Sequence, residues 1–439
     1  MSSRTTGDAR HFMIVSPLPL DYTGGASSFG SAMAGRLAAE GHQMTVLTTD
    51  AHRPADFWTR PVSGETSYKP ASSAHGVTTI RLRISYPFPA PYGFGLLRRA
   101  GLWLQHTEIP AAVQRPLLRG LARAMPPLRD LPAALARLAP EADLIHALDS
   151  SWDGLFVAAA DAAHASHKPF VAMPLMHLGG DAVRAHFQMA HQVDAYRSAD
   201  AVLALSQREV DEYVRLGVAA ERVHLLAMGV EPPPAEHSGA GDDFRRAHGI
   251  AGPLVAFLGA NTYDKGAFTL ALAAAQLAAA GTPVTLVYAG PASQGLLEFL
   301  ARQPANIRSA LADRVHVLGL VDEPAKHQLL AASTLLALPS QVDTFGIVLL
   351  EAWSHGKPVI GARAGGIADL VREEVDGLLA PFGDVSALAA AIDRLVSDPD
   401  LAARLGEAGR ERVLRDFTWD RTYQTLLGIY DAVAEGFRQ

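Results

Sequence analysis

The chain reads as an α/β protein built from two parallel-sheet domains. Three observations predict this. Short apolar strands alternate with helical stretches along most of its 439 residues. That length exceeds what a single hydrophobic core usually holds. A proline-rich tract, Glu231-Pro232-Pro233-Pro234 through Gly241, divides the alternation into two series of similar size. Two such domains imply a cleft between them.

Composition narrows the class. Hydrophobic residues make up 49% of the chain, enough for two packed cores. The formal net charge of -7 argues against nucleic acid as a partner. There are no cysteines, so disulfides and thiolate chemistry are excluded. The first residues, MSSRTTGDARH, are polar and do not read as a signal peptide. No apolar run approaches the roughly 20 residues of a membrane span. A cytoplasmic protein is expected, with peripheral contact to the inner face of a membrane left open.

The first series opens with a buried-type strand over 12–15, ended by Pro17 and Pro19. Gly24-Gly25 then precede a helix over about 26–40, stopped by Gly41. Glycines there let backbone approach a phosphate or substrate closely, although taken alone a tight turn is the better reading. A strand over 44–48, a Pro-rich polar loop over 52–73 and a strand over 77–82 follow.

Residues 91–138 differ in charge. Arg98, Arg99, Arg115, Arg119, Arg123, Arg129 and Arg137 face only Glu108 and Asp130, a balance of +5. Leucines, Phe94 and Trp103 are interleaved, and Pro110, Pro116, Pro126, Pro127 and Pro132 are read as dividing the stretch into short helices. Such an insert fits an anionic membrane surface or an anionic acceptor. It fits equally a helical cover over the sheet with solvated arginines.

Strands over 144–146, 168–173, 201–205 and 223–226 complete the first sheet. His177 follows the second of these, within Met176-His177-Leu178-Gly179-Gly180. Ligands of open α/β sheets bind at the carboxyl ends of strands, which makes His177 a candidate. His11, His42, His164, His167 and His191 show no paired metal spacing.

The second series has strands over 254–258, 284–288, 315–318, 334–338 and 359–361. Its first loop, Gly259-Ala260-Asn261-Thr262-Tyr263-Asp264-Lys265-Gly266, puts a lysine before a helix, where it can reach a phosphate. Neither a P-loop nor a G-x-G-x-x-G fingerprint is present. Gly365-Gly366 form another close-approach loop.

The most informative stretch is Ser340 to Glu351, SQVDTFGIVLLE. A helix is expected from Gly346, with Ile347, Leu350 and Ala352 on its buried face. Glu351 interrupts that face, and a carboxylate there needs a partner. Asp343 precedes it by eight residues. Read as helix, that spacing is about 12 Å, near the span from the sugar to the ribose of a nucleotide sugar. Backbone N–H groups at the helix start would hold the phosphates between. An N-capping aspartate and an ion-paired structural glutamate is the alternative.

The order Gly24-Gly25, His177, Lys265-Gly266, Asp343-x7-Glu351 and Gly365-Gly366 resembles the retaining glycosyltransferases of family 4, which have the GT-B fold. SQVDTFGIVLLEAWSHGKPVIGARAGGIADLV is similar to that family's E-x7-E region. The resemblance covers nearly the whole chain and implies two Rossmann-like domains facing each other across a cleft. Residues 1–233 would form the acceptor-side domain, completed by a C-terminal helix over 421–439 that crosses back. Residues 234–420 would bind the nucleotide sugar.

The resemblance also implies roles. Glu351 would grip the donor ribose, and Asp343 the donor sugar. The backbone of Thr344, Phe345, Gly346 and Ile347 would support the phosphates, and Lys265, beside Asn261, would neutralise the diphosphate. Gly24 and Gly25 would approach that phosphate and the acceptor. His177 would hydrogen-bond the sugar near the reacting carbon. Gly319 and Leu320 would lie by the nucleobase. The donor would be UDP- or GDP-linked, with no metal and no other cofactor. The acceptor would be a hydroxyl of a small molecule, glycan or lipid-linked sugar. A sugar-nucleotide epimerase, a phosphorylase or a non-catalytic sugar-binding module would use similar clefts. Two positions depart from the family. Asp343 replaces the usual glutamate, and Ala260 stands where an arginine is usual.

Overall fold

The computed structural model describes residues 9–22, 24–57, 72–74, 76–86, 92–233 and 239–438. The N-terminal octapeptide, most of the 52–73 loop and the middle of the 231–241 tract lie outside the described residues. The chain falls into two compact units. One comprises residues 1–176, 180–226 and 423–439, and the other 177–179 and 227–422.

The first unit is built on β1 (His11–Val15), β2 (Gln43–Thr49), β3 (Ser72–Ala74), β4 (Val77–Leu82), β5 (Leu144–Leu148), β6 (Phe170–Met173), β7 (Ala201–Ala204) and β8 (Val223–Leu225). They form one sheet in the order β3-β4-β2-β1-β5-β6-β7-β8. Every pairing is parallel except β3 with β4, which is antiparallel. Strands covered on both faces carry continuous apolar runs, and β1, β5, β6 and β7 are buried at every position.

The second unit contains β9 (Leu254–Leu258), β10 (Thr285–Ala289), β11 (Val315–Gly319), β12 (Leu335–Leu338), β13 (Val359–Ala362) and β14 (Gly377–Ala380), in the parallel order β11-β10-β9-β12-β13-β14. The last helix, Trp419–Arg438, passes from the second unit to the first, with residues from 423 onward belonging to the first. There Tyr430 stacks on Phe12 of β1 at 5.3 Å. These are two Rossmann-like sheets, the layout of the GT-B fold.

Among the parallel strands of each sheet the order reverses at one place. β1 lies between β2 and β5, and β9 lies between β10 and β12. Loops after the strands flanking such a reversal diverge and leave room for a ligand. In the second unit those loops are 259–266 after β9 and 339–346 after β12.

Three expectations are corrected. Pro116 does not divide the insert; it lies inside the Ala111–Ala122 helix on an exposed turn. Pro110 caps that helix, and Pro132 opens the Leu131–Leu138 helix, positions where a missing N–H costs nothing. The helix after Asp343 begins only at Ile347, and Ile347 is half-buried. Four residues of helix thus separate Ile347 from Glu351, about 6 Å of rise, and the 343–346 loop supplies the rest of the spacing. The insert's arginines are also not all solvated. Arg98 pairs with the buried Asp153 at 3.1 Å, Arg119 with Asp161 at 2.6 Å and Arg115 with Asp194 at 3.5 Å. Arg99, Arg123, Arg129 and Arg137 are exposed. Among the described residues no helix is long and apolar enough to cross a membrane.

Candidate functional site

The site builds up from the two loops at the second unit's reversal point. Gly266 adopts φ 80°, and a Cβ there would stand 2.3 Å from the Pro339 carbonyl oxygen. Only glycine lets the 264–266 turn lie against 339–341. The Gln341 N–H then donates to the Asp264 carbonyl at 3.0 Å. This seam carries Lys265 to Asp343, where Nζ donates to Oδ1 at 3.0 Å. Both side chains are about one-fifth exposed (22% and 21%) and so remain open to a ligand. The second carboxylate oxygen, Oδ2, is buried and has no hydrogen-bond partner among the described residues.

Gly365-Gly366 support the same loop from the other side. A Cβ on Gly366 would sit 1.7 Å from the Thr344 carbonyl, and one on Gly365 2.6 Å from that of Asp343. The Gly366 N–H donates to the Asp343 carbonyl at 2.9 Å. These glycines therefore meet the protein's own backbone. The loop they hold offers donors, because the N–H groups of Thr344, Phe345 and Gly346 find no acceptor among the described residues. The Phe345 ring turns inward, edge-on to Phe417 at 6.0 Å, so only its backbone can serve a ligand.

His177 joins this cluster. Residues 177–179 pack with the second unit, and Nδ1 donates to the Val342 carbonyl at 2.5 Å. Since a carbonyl only accepts, the contact puts the proton on Nδ1. The preceding Leu175 has φ 56°, an uncommon conformation for a bulky residue and a mark of a constrained loop.

Glu351 sits on the Ile347–Ser354 helix, which is fixed by Trp353. That indole is fully buried, donates to the Asp376 carbonyl at 2.7 Å and rests where Gly409 leaves room for it. Burial raises the pKa of Glu351, partly offset by Lys326, whose Nζ donates to Oε1 at 2.6 Å. Burial also works against the charge of Lys326, but Glu351 and Glu323 outweigh it and leave that pKa raised. Lys326 escaped sequence reasoning. It lies on the Glu323–Ala332 helix, after β11, and nothing local links it to Glu351.

The other candidates divide. Gly319 has φ 71° and its carbonyl accepts from the Gly290 N–H at 2.7 Å, while Leu320 beside it is 70% exposed. Asn261 is 1% exposed, and its Nδ2 donates to the Gly290 carbonyl and to Ser293 Oγ, each at 3.2 Å. Its amide nitrogen ties the β9 and β10 loops together, and its Oδ1 is buried with no hydrogen-bond partner among the described residues. Ala260 leaves Lys265 as the sole cation of the 259–266 loop. Gly24 and Gly25 belong to the first unit. Gly25 opens the Gly25–Ala39 helix with open space where a Cβ would project. Among the described residues no group of three His, Asp or Glu side chains could hold a metal ion.

Two family profiles match the chain. "Glycosyltransferase Family 4" matches residues 23–232 and "Glycosyl transferases group 1" matches residues 242–412. The chain belongs to glycosyltransferase family 4. Among the relatives of this family 4 chain, alpha-maltose-1-phosphate synthase of Mycolicibacterium smegmatis is 32% identical over 258 residues, covering 55% of this chain and 65% of that protein. D-inositol 3-phosphate glycosyltransferase of Salinispora tropica is 33% identical over 253 residues, covering 54% and 52%. The match thus spans less than two-thirds of either relative's length. Among solved structures, Anabaena Alr3699/HepE in complex with UDP and glucose has a TM-score of 0.70 at 20% identity, covering 95% of this chain and 99% of that one. Sucrose-phosphate synthase of Thermosynechococcus elongatus has a TM-score of 0.70 at 21% identity, covering 97% and 100%. These likenesses place the family 4 chain in the GT-B fold.

Proposed function

We propose that this chain moves a sugar from a UDP- or GDP-linked donor to an acceptor hydroxyl, with retention at the anomeric carbon and without a metal ion. One observation carries the reading. Three N–H groups, of Thr344, Phe345 and Gly346, and the buried Oδ2, all without a partner among the described residues, adjoin the Lys265–Asp343 pair. Donors and a cation at one spot suit a diphosphate, and an acid beside them suits sugar hydroxyls.

In this reading Lys265 and the 344–347 backbone hold the diphosphate as its charge grows. Asp343 and His177 hold the sugar, and Glu351 holds the ribose. Gly319 and Leu320 line the nucleobase. The sugar–phosphate bond breaks as the acceptor oxygen adds to the same face, and the leaving phosphate takes the acceptor proton. Catalysis then comes from position and preorganised charge. The HepE structures that share this fold hold UDP and UDP-glucose, so UDP-linked donors head the screen.

The acceptor belongs, in our reading, to the first unit and its insert. The insert exposes Leu96, Trp103, Val113 and Leu117 together with Arg99 and Arg123. Apolar and cationic groups on one helical insert suit the surface of an anionic bilayer and a membrane-proximal acceptor.

A thermal-shift screen of nucleotide sugars tests the donor. A ligand at 100 times its Kd adds about 2.7 kcal/mol of stability. The hit is then assayed for transfer in excess EDTA, with the anomer of the product read by NMR. Glu351→Ala should abolish the shift. No shift from any UDP- or GDP-sugar sinks the reading, and an inverted product sinks its mechanism.

A further inference from the structure

Glu351 lies on a helix whose Leu349, Leu350, Ala352 and Trp353 are buried, and burial raises its own pKa. A carboxylate in that setting tends to take up a proton, and a neutral acid is a weaker acceptor for a vicinal diol. Lys326 opposes this from a separate element. Its ammonium meets Oε1 at 2.6 Å, with the two side chains only 16% and 17% exposed.

The lysine is itself fixed in place. Asp322 caps its helix by accepting from the Ala325 N–H at 2.9 Å, and Leu329 and Leu330 bury the far end. Glu323 holds the same ammonium at 2.8 Å. The contact uses Oε1, and Oε2 takes no donor among the described residues. A second bridge joins the two helices, His327 Nδ1 to His355 Nε2 at 2.9 Å. The titratable groups around the pair are therefore Glu323 and His327 on the lysine's helix, and His355 at the end of the glutamate's.

We infer that Lys326 is a positioning residue of the donor site, holding Glu351 anionic with its second oxygen presented to the ribose hydroxyls of the nucleotide. The inference rests on the assignment of Glu351 to the ribose made above. An apolar residue at 326 would leave a buried acid that is neutral over much of the working pH range. Binding of the ribose would then follow the protonation of Glu351.

The test compares UDP with 2′-deoxy-UDP, and GDP with 2′-deoxy-GDP, by calorimetric titration from pH 6.5 to 8.5. The wild type should prefer the ribonucleotide by about tenfold or more, since the hydrogen bond that the hydroxyl donates to a charged acceptor is lost in the deoxy ligand. That preference should be flat across the range. Lys326→Gln should lose it at pH 6.5 and recover it as pH rises, by up to about tenfold per unit below the shifted pKa. Lys326→Arg should restore the flat profile. Comparing the ratio of two ligands on each variant cancels the titration of His327 and His355.

A full, pH-independent preference in Lys326→Gln overturns the inference. So does a wild-type preference that falls between pH 8.5 and 6.5, a result that needs no folded variant. A wild type that never prefers the ribonucleotide instead overturns the ribose assignment of Glu351.

Discussion

Replacing Lys265 by Met separates two roles of one ammonium group. In the free protein it is the partner of Asp343 Oδ1 at 3.0 Å, while Oδ2 has none among the described residues. The substitution keeps most of the stem and leaves a carboxylate, about four-fifths covered, without a partner. Stranding such a group costs about 1–3 kcal/mol of stability. Asp343→Asn removes the stranded charge, so the double variant should regain part of that loss. Donor binding tests the other role. A charge-assisted contact to the diphosphate is worth about 1.5–3 kcal/mol, roughly 10- to 150-fold, and more in a transition state where phosphate charge grows. Lys265→Met should therefore weaken UDP or GDP binding and reduce kcat/KM further. Asp343→Asn should spare the nucleoside diphosphate and weaken only the nucleotide sugar, because Asp343 is assigned to the sugar. Urea unfolding, calorimetric titration and steady-state kinetics measure the three quantities. The reasoning is refuted if Lys265→Met folds and binds the diphosphate as the wild type does, or if Asp343→Asn weakens UDP and UDP-sugar alike.

Two further outcomes are expected. His146 of β5 is buried, with Nδ1 2.6 Å from the Tyr430 hydroxyl and Nε2 without a partner among the described residues, and burial pushes its pKa down to about 3. The unfolded chain takes that proton near pH 6.5, so stability is complete above 6.5 and falls below it, by about 2 kcal/mol at pH 5. Urea unfolding at pH 7.5 and 5 should show the loss, and His146→Gln should show less of it; equal slopes would contradict the assignment. On the insert, Arg99, Arg123, Arg129 and Arg137 are exposed and have no ion pair among the described residues, so their joint change to Gln should abolish co-sedimentation with anionic vesicles at low salt while nucleotide binding stays intact. A wild type that ignores such vesicles would remove the membrane from the proposal.

Parallel sheets are legible because burial on both faces writes itself as unbroken apolar runs. The 254–258 run is strand β9, and the apolar run ending at Leu338 is β12. β14 escaped the same reading because Gly377–Ala380 is a short edge strand that follows polar Asp376. Asp376 is buried, accepting from the Arg372 N–H at 2.7 Å and from Arg412 at 2.8 Å. Turn glycines were legible for a related reason. Gly266 and Gly366 stand where another backbone passes too close for a Cβ, whether that backbone is a ligand's neighbour or the protein's own. The sequence shows the tolerance but not which partner uses it.

Side-chain pairing is the part that local sequence does not hold. The need of Glu351 for a partner was readable, since an acid on an apolar helix must be compensated. Its partner, Lys326, lies 25 residues earlier on another helix, and only the packing of β11 and β12 on one sheet brings the two together. The arginines of the insert show the converse. Their segregation suggested one uniform basic surface, yet Arg98, Arg115 and Arg119 are spent on Asp153, Asp194 and Asp161 of the same unit. Charge counted along a segment overstates the charge that segment presents. A partner must therefore be argued from the residues left exposed and unpaired among the described residues, and here those are Arg99, Arg123, Arg129 and Arg137 and an apolar stripe of Leu96 and Trp103 on one helix.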